Sequence, residues 1–375
     1  MARARVRIGL VVNPIAGIGG RVALKGSDGA ETLARALRLG AVPSSGARAV
    51  RVLERLRAEA PEGSFELLVA PGPMGEEPAR AAGLDGRVVG ELASSTTTAE
   101  DTRAIALAMR GAVDLLLFAG GDGTAADVLA AVGDHVPAIG IPAGVKTHSA
   151  AFAVTPEAAG YLAAMLARGV SLRETQAEVL DLDEDAYRRG EIAPRLVGYL
   201  RVPQERRLVQ PRKAPTPAGE AVALASIAAD VVEHMEPGRA YVLGPGTTVR
   251  AVAERLGVPK TLVGVDVVRD RTLVAADVAE RDLLGLLAEG PVSVVVTPIG
   301  GQGFILGRGN QQIGPEVVRR VGREHVIVLA TPWKLASLEG APLRVDSGDP
   351  EVDRLLAGHL RVITGYGDRA ICRVE

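Results

Sequence analysis

The sequence predicts an α/β protein with an N-terminal domain built on a doubly wound parallel sheet and a second domain of mixed α/β type. Three observations predict it. Short apolar runs alternate with stretches of helical periodicity, the pattern of strands joined by crossover helices. Gly-rich or Pro-Gly turns close several of the apolar runs. Hydrophobic residues make up 47% of the chain but aromatics only 3%, so the core is built from Ala, Val and Leu, which suits closely packed α/β layers. A length of 375 residues suits two domains. The expected spans are 1–155, 156–335 and a C-terminal segment, 336–375, free to pack back on the first domain.

The first half opens with a strand, Val6–Val12, that stops at Asn13-Pro14. Helical patterns at Glu31–Leu39 and Ala47–Ala60 precede a strand at Phe65–Ala70, and another helix is expected at Thr98–Met109. Leu115–Ala119 reads as a buried strand, Ala125–Val132 as the helix after it, and Ala138–Pro142 as a short strand ending in Pro-Ala-Gly. A helix at 156–168 leads to a β-ribbon, Glu178–Asp183 with Leu196–Val202. The stretch Glu205–Gly219 carries Arg206, Arg207, Arg212, Lys213 and three prolines. It reads either as a solvated connection or as a basic lid. Alternation then resumes with helix Glu220–Met235, strand Ala240–Leu243, helix Val249–Leu256, strand Thr261–Val268 and its partner Leu273–Ala275. Helix Glu280–Leu287, strand Val292–Thr297, helix Pro315–Val321 and strand His325–Leu329 follow, with final strands at Leu360–Thr364 and Ala370–Val374.

Composition excludes several functions. A net charge of −2 with no long basic run, and few aromatics to stack on bases, argue against nucleic-acid binding. The single cysteine, Cys372, rules out a disulfide framework or a Cys-based zinc site. Ile8–Val12 is too short for the apolar segment of a signal peptide, and no run reaches membrane-spanning length, so a cytoplasmic protein without a membrane partner is expected.

The candidate chemistry centres on Ala119-Gly120-Gly121-Asp122-Gly123-Thr124, between a strand and a helix start. Free N–H groups and the helix dipole favour an anion there. Gly120, Gly121 and Gly123 have no Cβ, so the backbone there can adopt φ > 0 and let a phosphate approach closely. Asp122 suits holding a cation or taking a proton from an attacking hydroxyl; the alternative is a plain capping turn. Asn13 and Gly17 lie in a second Gly-rich turn, Asn13–Gly20, and Lys25 follows as a compact cation for phosphate or a solvated charge. Lys146 and His148, after Gly140–Gly144, are candidates for ligand contact beside Thr147 and Ser149 as possible caps. Gly244, Gly246 and Thr247 form a further strand–turn–helix junction, and Thr297 and Gly300 lie in a Gly-rich stretch after a strand. No Gly-x-x-x-x-Gly-Lys-Ser/Thr loop is present, and Gly17–Gly20 does not supply the dinucleotide fingerprint Gly-x-Gly-x-x-Gly.

Gly120-Gly121-Asp122-Gly123-Thr124, with Asn13-Pro14-x-x-Gly17 after the first strand, resembles the NAD kinase and diacylglycerol kinase superfamily. Asn13–Gly20, Gly140–Lys146, Leu243–Thr248 and Thr297–Phe304 look most like its ATP-NAD kinase/AcoX branch, so the resemblance spans nearly the whole chain. It implies ATP-dependent (or polyphosphate-dependent) phosphorylation of the 2′-hydroxyl of NAD's adenosine ribose, with Mg²⁺, by a homo-oligomer of two or four chains. Asp122 matches the family acid that serves as base or positions Mg²⁺, and Gly120, Gly121, Gly123 and Thr124 match the nucleotide-phosphate loop. Asn13 and Gly17 match the first phosphate loop. Thr297-Pro298-x-Gly300 falls where NAD kinases carry Thr-Pro-Thr-Gly-Ser against the dinucleotide. Three departures bear on the acceptor. The Asn-Glu pair of NAD kinases has only Asp181-Leu182-Asp183-Glu184 as its counterpart, Thr-Pro-Ile-Gly-Gly lacks two hydroxyls, and the second domain reads as mixed α/β instead of a β-sandwich. A nucleotide-binding regulator and a kinase for another small alcohol are the competing readings.

Overall fold

The computed structural model describes residues 5–24, 30–92, 94, 96–143, 147–182, 194–204, 220–261, 263–299 and 302–375. By contacts these divide into two compact units. The first is made mainly of residues up to Ile18 and Val42–Gln210, the second of Gly19–Gly26, Ala34–Ala41 and Pro211–Glu375. The chain is an α/β protein in both, as the alternating pattern predicts.

The first unit carries β1 (Val6–Val12), β2 (Phe65–Val69), β3 (Arg87–Val88), β4 (Leu115–Gly120) and β5 (Ala138–Pro142), arranged β3-β2-β1-β4-β5 and parallel throughout. All six residues of β4 are buried, as expected of a central parallel strand covered on both faces. The order reverses between β1 and β4. With right-handed crossovers, the connections on either side of that point fall on opposite faces of the sheet. Helices Ser45–Glu59 and Pro156–Ala167 accordingly pack on one another, as do Ala99–Met109 and Asp122–Val132. Thr98 and Asp101 form a capping box at the start of the third of these helices, and Thr155 caps the second, which fixes both beginnings close to where the sequence puts them.

Gly160 lets the first helix pair approach closely, because a Cβ there would lie 2.4 Å from the Val52 carbonyl oxygen. Gly160→Ala is expected to lower stability by about 1–3 kcal/mol, read as a fall in the denaturant midpoint. An unchanged midpoint would contradict this packing.

The β-ribbon is longer than its apolar pattern predicts: β6 (Arg173–Leu182) pairs antiparallel with β7 (Pro194–Gln204). Leu200 and Val202 turn inward and are fully buried, whereas Val197 and Tyr199 are exposed.

The second unit holds a seven-stranded mixed sheet, ordered β10-β9-β8-β11-β13-β15-β16. Its strands are β8 (Ala240–Leu243), β9 (Asp266–Arg269), β10 (Thr272–Ala275), β11 (Val292–Val296), β13 (Val326–Leu329), β15 (Gly358–Ile363) and β16 (Arg369–Val374). β8, β11, β13 and β15 run parallel, while β9, β10 and β16 are antiparallel to their neighbours. A separate two-stranded parallel piece pairs β12 (Phe304–Leu306) with β14 (Arg344–Val345). This is the mixed α/β architecture that the sequence predicts.

β9 begins five residues later than its apolar run suggests. The buried Asp266 carboxylate accepts the Thr261 N–H and hydroxyl and the Asp277 N–H, and pairs with Lys260 at 2.8 Å. Thr261 and residues 263–265 are thereby drawn into a loop, not a strand.

Glu280 opens the helix Glu280–Glu289, 4.0 Å from Arg21. Burial raises its carboxyl above the ordinary range, the Arg21 guanidinium opposes the rise, and Glu316 adds to it. A raised carboxyl pKa contributes stability that is present at low pH and lost as pH climbs through the folded value. At pH 7 the ionised group is therefore a burden. Glu280→Gln is expected to melt above wild type near neutrality, the gap closing as pH falls toward about 4. Parallel melting curves at all pH values would contradict that account.

Candidate active site

The carboxyl ends of β1 and β4 meet at the point where the strand order of the first unit reverses, the position at which open α/β sheets take ligands. Asn13, directly after β1, ties the two ends together. Its N–H donates to the Ala119 carbonyl at 2.9 Å, and its Nδ2 donates to Thr124 Oγ1 at 3.1 Å. Its Oδ1 accepts the N–H of Ile15 and starts the turn that follows. Gly17 in that turn has φ 75°, a left-handed conformation open to glycine at little cost.

Gly120 ends β4 with no Cβ, and one there would sit 2.3 Å from the Thr124 side chain. The helix after it starts three residues earlier than its apolar run suggests. Gly121 is its N-cap, and Asp122, Gly123 and Thr124 form its first turn. The freedom to take φ > 0 is not used here. Gly121 is extended at φ −113°, and neither Gly120 nor Gly123 has positive φ. Gly121 and Gly123 instead leave open space where a Cβ would stand, so a ligand could come close to this helix end.

The Asp122 side chain, 7% exposed, is held by the segment that follows β5. Oδ1 accepts the Ser149 N–H at 2.9 Å and the Ser149 hydroxyl at 2.6 Å. Oδ2 accepts the His148 N–H at 2.8 Å and faces His148 Nδ1 at 3.3 Å. Ser149 Oγ also accepts the Leu180 N–H of β6 at 3.0 Å, so the clamp is anchored to the ribbon. Ser149 is thus a clamp on the acid and not the helix cap weighed from sequence. Arg48 is a residue that sequence reasoning passed over. It lies on the buried stripe Ser45, Arg48, Ala49, Val52 of its helix and donates to the Pro142 carbonyl at 3.1 Å. A charged residue on a stripe otherwise made of small and apolar residues was the available signal.

Among the sequence-derived candidates of the second unit, Gly244 follows β8 and donates its N–H to the Val295 carbonyl. Gly246 takes φ 115° close to Thr297, where a Cβ would lie 2.8 Å from Thr297 Cγ2. Thr247 opens the helix Thr247–Leu256 and is exposed, whereas Thr248 beside it is fully buried. Thr297 is buried directly after β11. Lys25, Lys146 and Gly300 lie outside the described residues, as do the Arg-rich stretch 205–219 and Asp183-Glu184. Among the described residues, no group of three His, Cys, Asp or Glu side chains could cage a metal ion. No helix there is long and apolar enough to cross a membrane.

Residues 8–170 match the family model described as the ATP-NAD kinase N-terminal domain, and residues 237–374 match the one described as the ATP-NAD kinase C-terminal domain. The class is therefore that of a kinase, a phosphotransferase with an alcohol acceptor. Together the two matches cover most of the chain, and it belongs to the ATP-NAD kinase family. No curated protein matches it.

Proposed function

We propose that this kinase transfers the γ-phosphoryl group of MgATP to the 2′-hydroxyl of NAD's adenosine ribose, giving NADP, with Asp122 as the base. The observation that carries the reading is the placement of Asp122. It is a buried carboxylate in the first turn of a helix whose Thr124 accepts a bond from Asn13 at the switch point of the sheet, in a chain whose two halves both match ATP-NAD kinase domains. Phosphoryl transfer needs mainly positioning and neutralisation of charge. Gly120, Gly121, Gly123, Thr124, Asn13 and Gly17 would receive the donor phosphates, with Lys25 and Lys146 as point charges. Gly244, Gly246, Thr247, Thr297 and Gly300 would contact the dinucleotide.

A carboxylate offers about four lone-pair sites, and three of the four contacts to Asp122 are short. The His148 Nδ1 contact, at 3.3 Å, is the long one. The acceptor hydroxyl would take its place at Oδ2 and pass its proton there as the phosphoryl group arrives. Both Asp122 oxygens already accept protein donors, and no protein cage for a cation is present among the described residues. The described residues do not fit a protein-held metal, so magnesium enters as part of the nucleotide substrate and no step passes through it.

A kinase for another small alcohol is the second reading, favoured by the loss of two hydroxyls in Thr297-Pro298-Ile299-Gly300-Gly301. Supplying the full chain with MgATP or polyphosphate and a panel of alcohols that includes NAD separates the two. Preferential formation of NADP is expected. Faster phosphorylation of another alcohol, with NAD left unmodified, would replace NAD as the acceptor.

A further inference from the structure

β8, β11 and β13 are consecutive parallel strands of the second unit, and their carboxyl ends converge on one ammonium group. Lys334, on the short helix Pro332–Ala336 after β13, is 8% exposed. Its Nζ lies 3.1 Å from Thr248 Oγ1 and 3.0 Å from Thr297 Oγ1. Thr248 sits in the first turn after the β8 junction and Thr297 directly after β11; both are at least nine-tenths buried.

The direction of these hydrogen bonds is fixed by chemistry. An ammonium has donors only, so both hydroxyls accept. Each hydroxyl then has its own proton left to give, and neither gives it to an acceptor among the described residues. A third hydroxyl, that of Thr331, is already used, because it donates to Glu220 Oε1 at 3.3 Å. Two buried O–H donors, polarised by a shared cation, call for an acceptor rich in lone pairs, since a buried donor left unmet is costly. The carboxyl edge of a parallel sheet is also where ligands enter such folds.

We propose that Lys334, Thr248 and Thr297 form an anion subsite that takes phosphoryl oxygens of a phosphorylated ligand, with Lys334 supplying the charge and the two threonines the oriented donors. A compact ammonium acts on phosphate as a point charge, and hydroxyls complete the shell around the oxygens. This deepens the kinase reading and rests on it for the class of ligand, a nucleotide or dinucleotide. It adds Lys334, which the sequence did not single out, and Thr248, the last residue of the Leu243–Thr248 stretch.

The chain's one tryptophan, Trp333, is the neighbour of Lys334 and reports on the site directly. The full-length protein is titrated with inorganic pyrophosphate while Trp333 emission is followed. A saturable change is expected, weakened about tenfold or more in Lys334→Met, a change that nearly conserves volume, and in Thr297→Val. Thr297→Ser keeps the hydroxyl and is expected to bind like wild type, which covers the case of a Lys334→Met chain that does not fold. Displacement of pyrophosphate by NAD or by ADP supports the subsite and names the source of the phosphate; displacement by neither overturns it. Wild-type affinity in both Lys334→Met and Thr297→Val also overturns it. Binding is read without turnover, and Asp122→Asn is expected to bind pyrophosphate normally. A chain that binds pyrophosphate through Lys334 yet forms no NADP would therefore refute the proposed acceptor and leave the subsite standing.

Discussion

Asp122→Asn is expected to lower the rate of NADP formation by roughly 10³-fold, within the range contributed by a positioned acid–base group, while the KM for ATP stays near its wild-type value. The amide oxygen can replace Oδ1 and keep both bonds from Ser149. Its NH₂ group then faces the His148 N–H, donor against donor, where Oδ2 had accepted at 2.8 Å. That mismatch is expected to cost about 1–3 kcal/mol locally, so the melting temperature and ATP binding need to be measured alongside the rate. A variant that melts and binds ATP normally but has lost turnover isolates the chemical role. Turnover within about tenfold of wild type would remove Asp122 as the base.

The largest effect on stability is expected at Asp346. Arg308 and Asp346 are 1% and 2% exposed; Nε and Nη2 of the arginine each lie 3.0 Å from Oδ2 of the aspartate. The guanidinium also stacks 4.8 Å above the centre of the Phe304 ring. Arg308 stands just after β12 and Asp346 just after β14, so the pair fastens the two-stranded piece. Gly307 permits this approach, since a Cβ there would lie 1.7 Å from the Asp346 carbonyl oxygen. Asp346→Ala leaves a guanidinium buried without its carboxylate and is expected to destabilise the protein by about 3–5 kcal/mol. Replacing both partners with apolar residues of similar size should cost far less, because no charge is then stranded. Denaturant unfolding of the two variants decides the matter, and equal losses in both would contradict the account.

The order of strands and helices was legible because it depends on local signals. Leu115–Phe118 is apolar throughout, the Gly-Gly-Asp-Gly turn punctuates it, and Ala125–Val132 carries the helix onward. The helix boundary was misplaced because Asp122 and Gly123 are weak helix formers by composition, yet Gly121 as N-cap brings them into the first turn. Short pieces such as β3, β12 and β14 were missed because two or three residues carry no periodicity. The same limit hid the surroundings of the candidate site. His148 and Ser149 reach Asp122 only because β4 and β5 are adjacent in the sheet, which brings together residues 26 and 27 positions apart. Lys334 carries no sequence signal of its own. Its burial follows from the adjacency of β8, β11 and β13, and no spacing in the sequence records that adjacency.

The most direct test is the identity of the product that the purified full chain makes from MgATP and NAD, read by ³¹P NMR. A new phosphomonoester resonance coincident with the 2′-phosphate of authentic NADP is expected, growing with time for wild type and nearly absent for Asp122→Asn. A product phosphorylated elsewhere, or an NADP signal that grows equally fast in the variant, would contradict it.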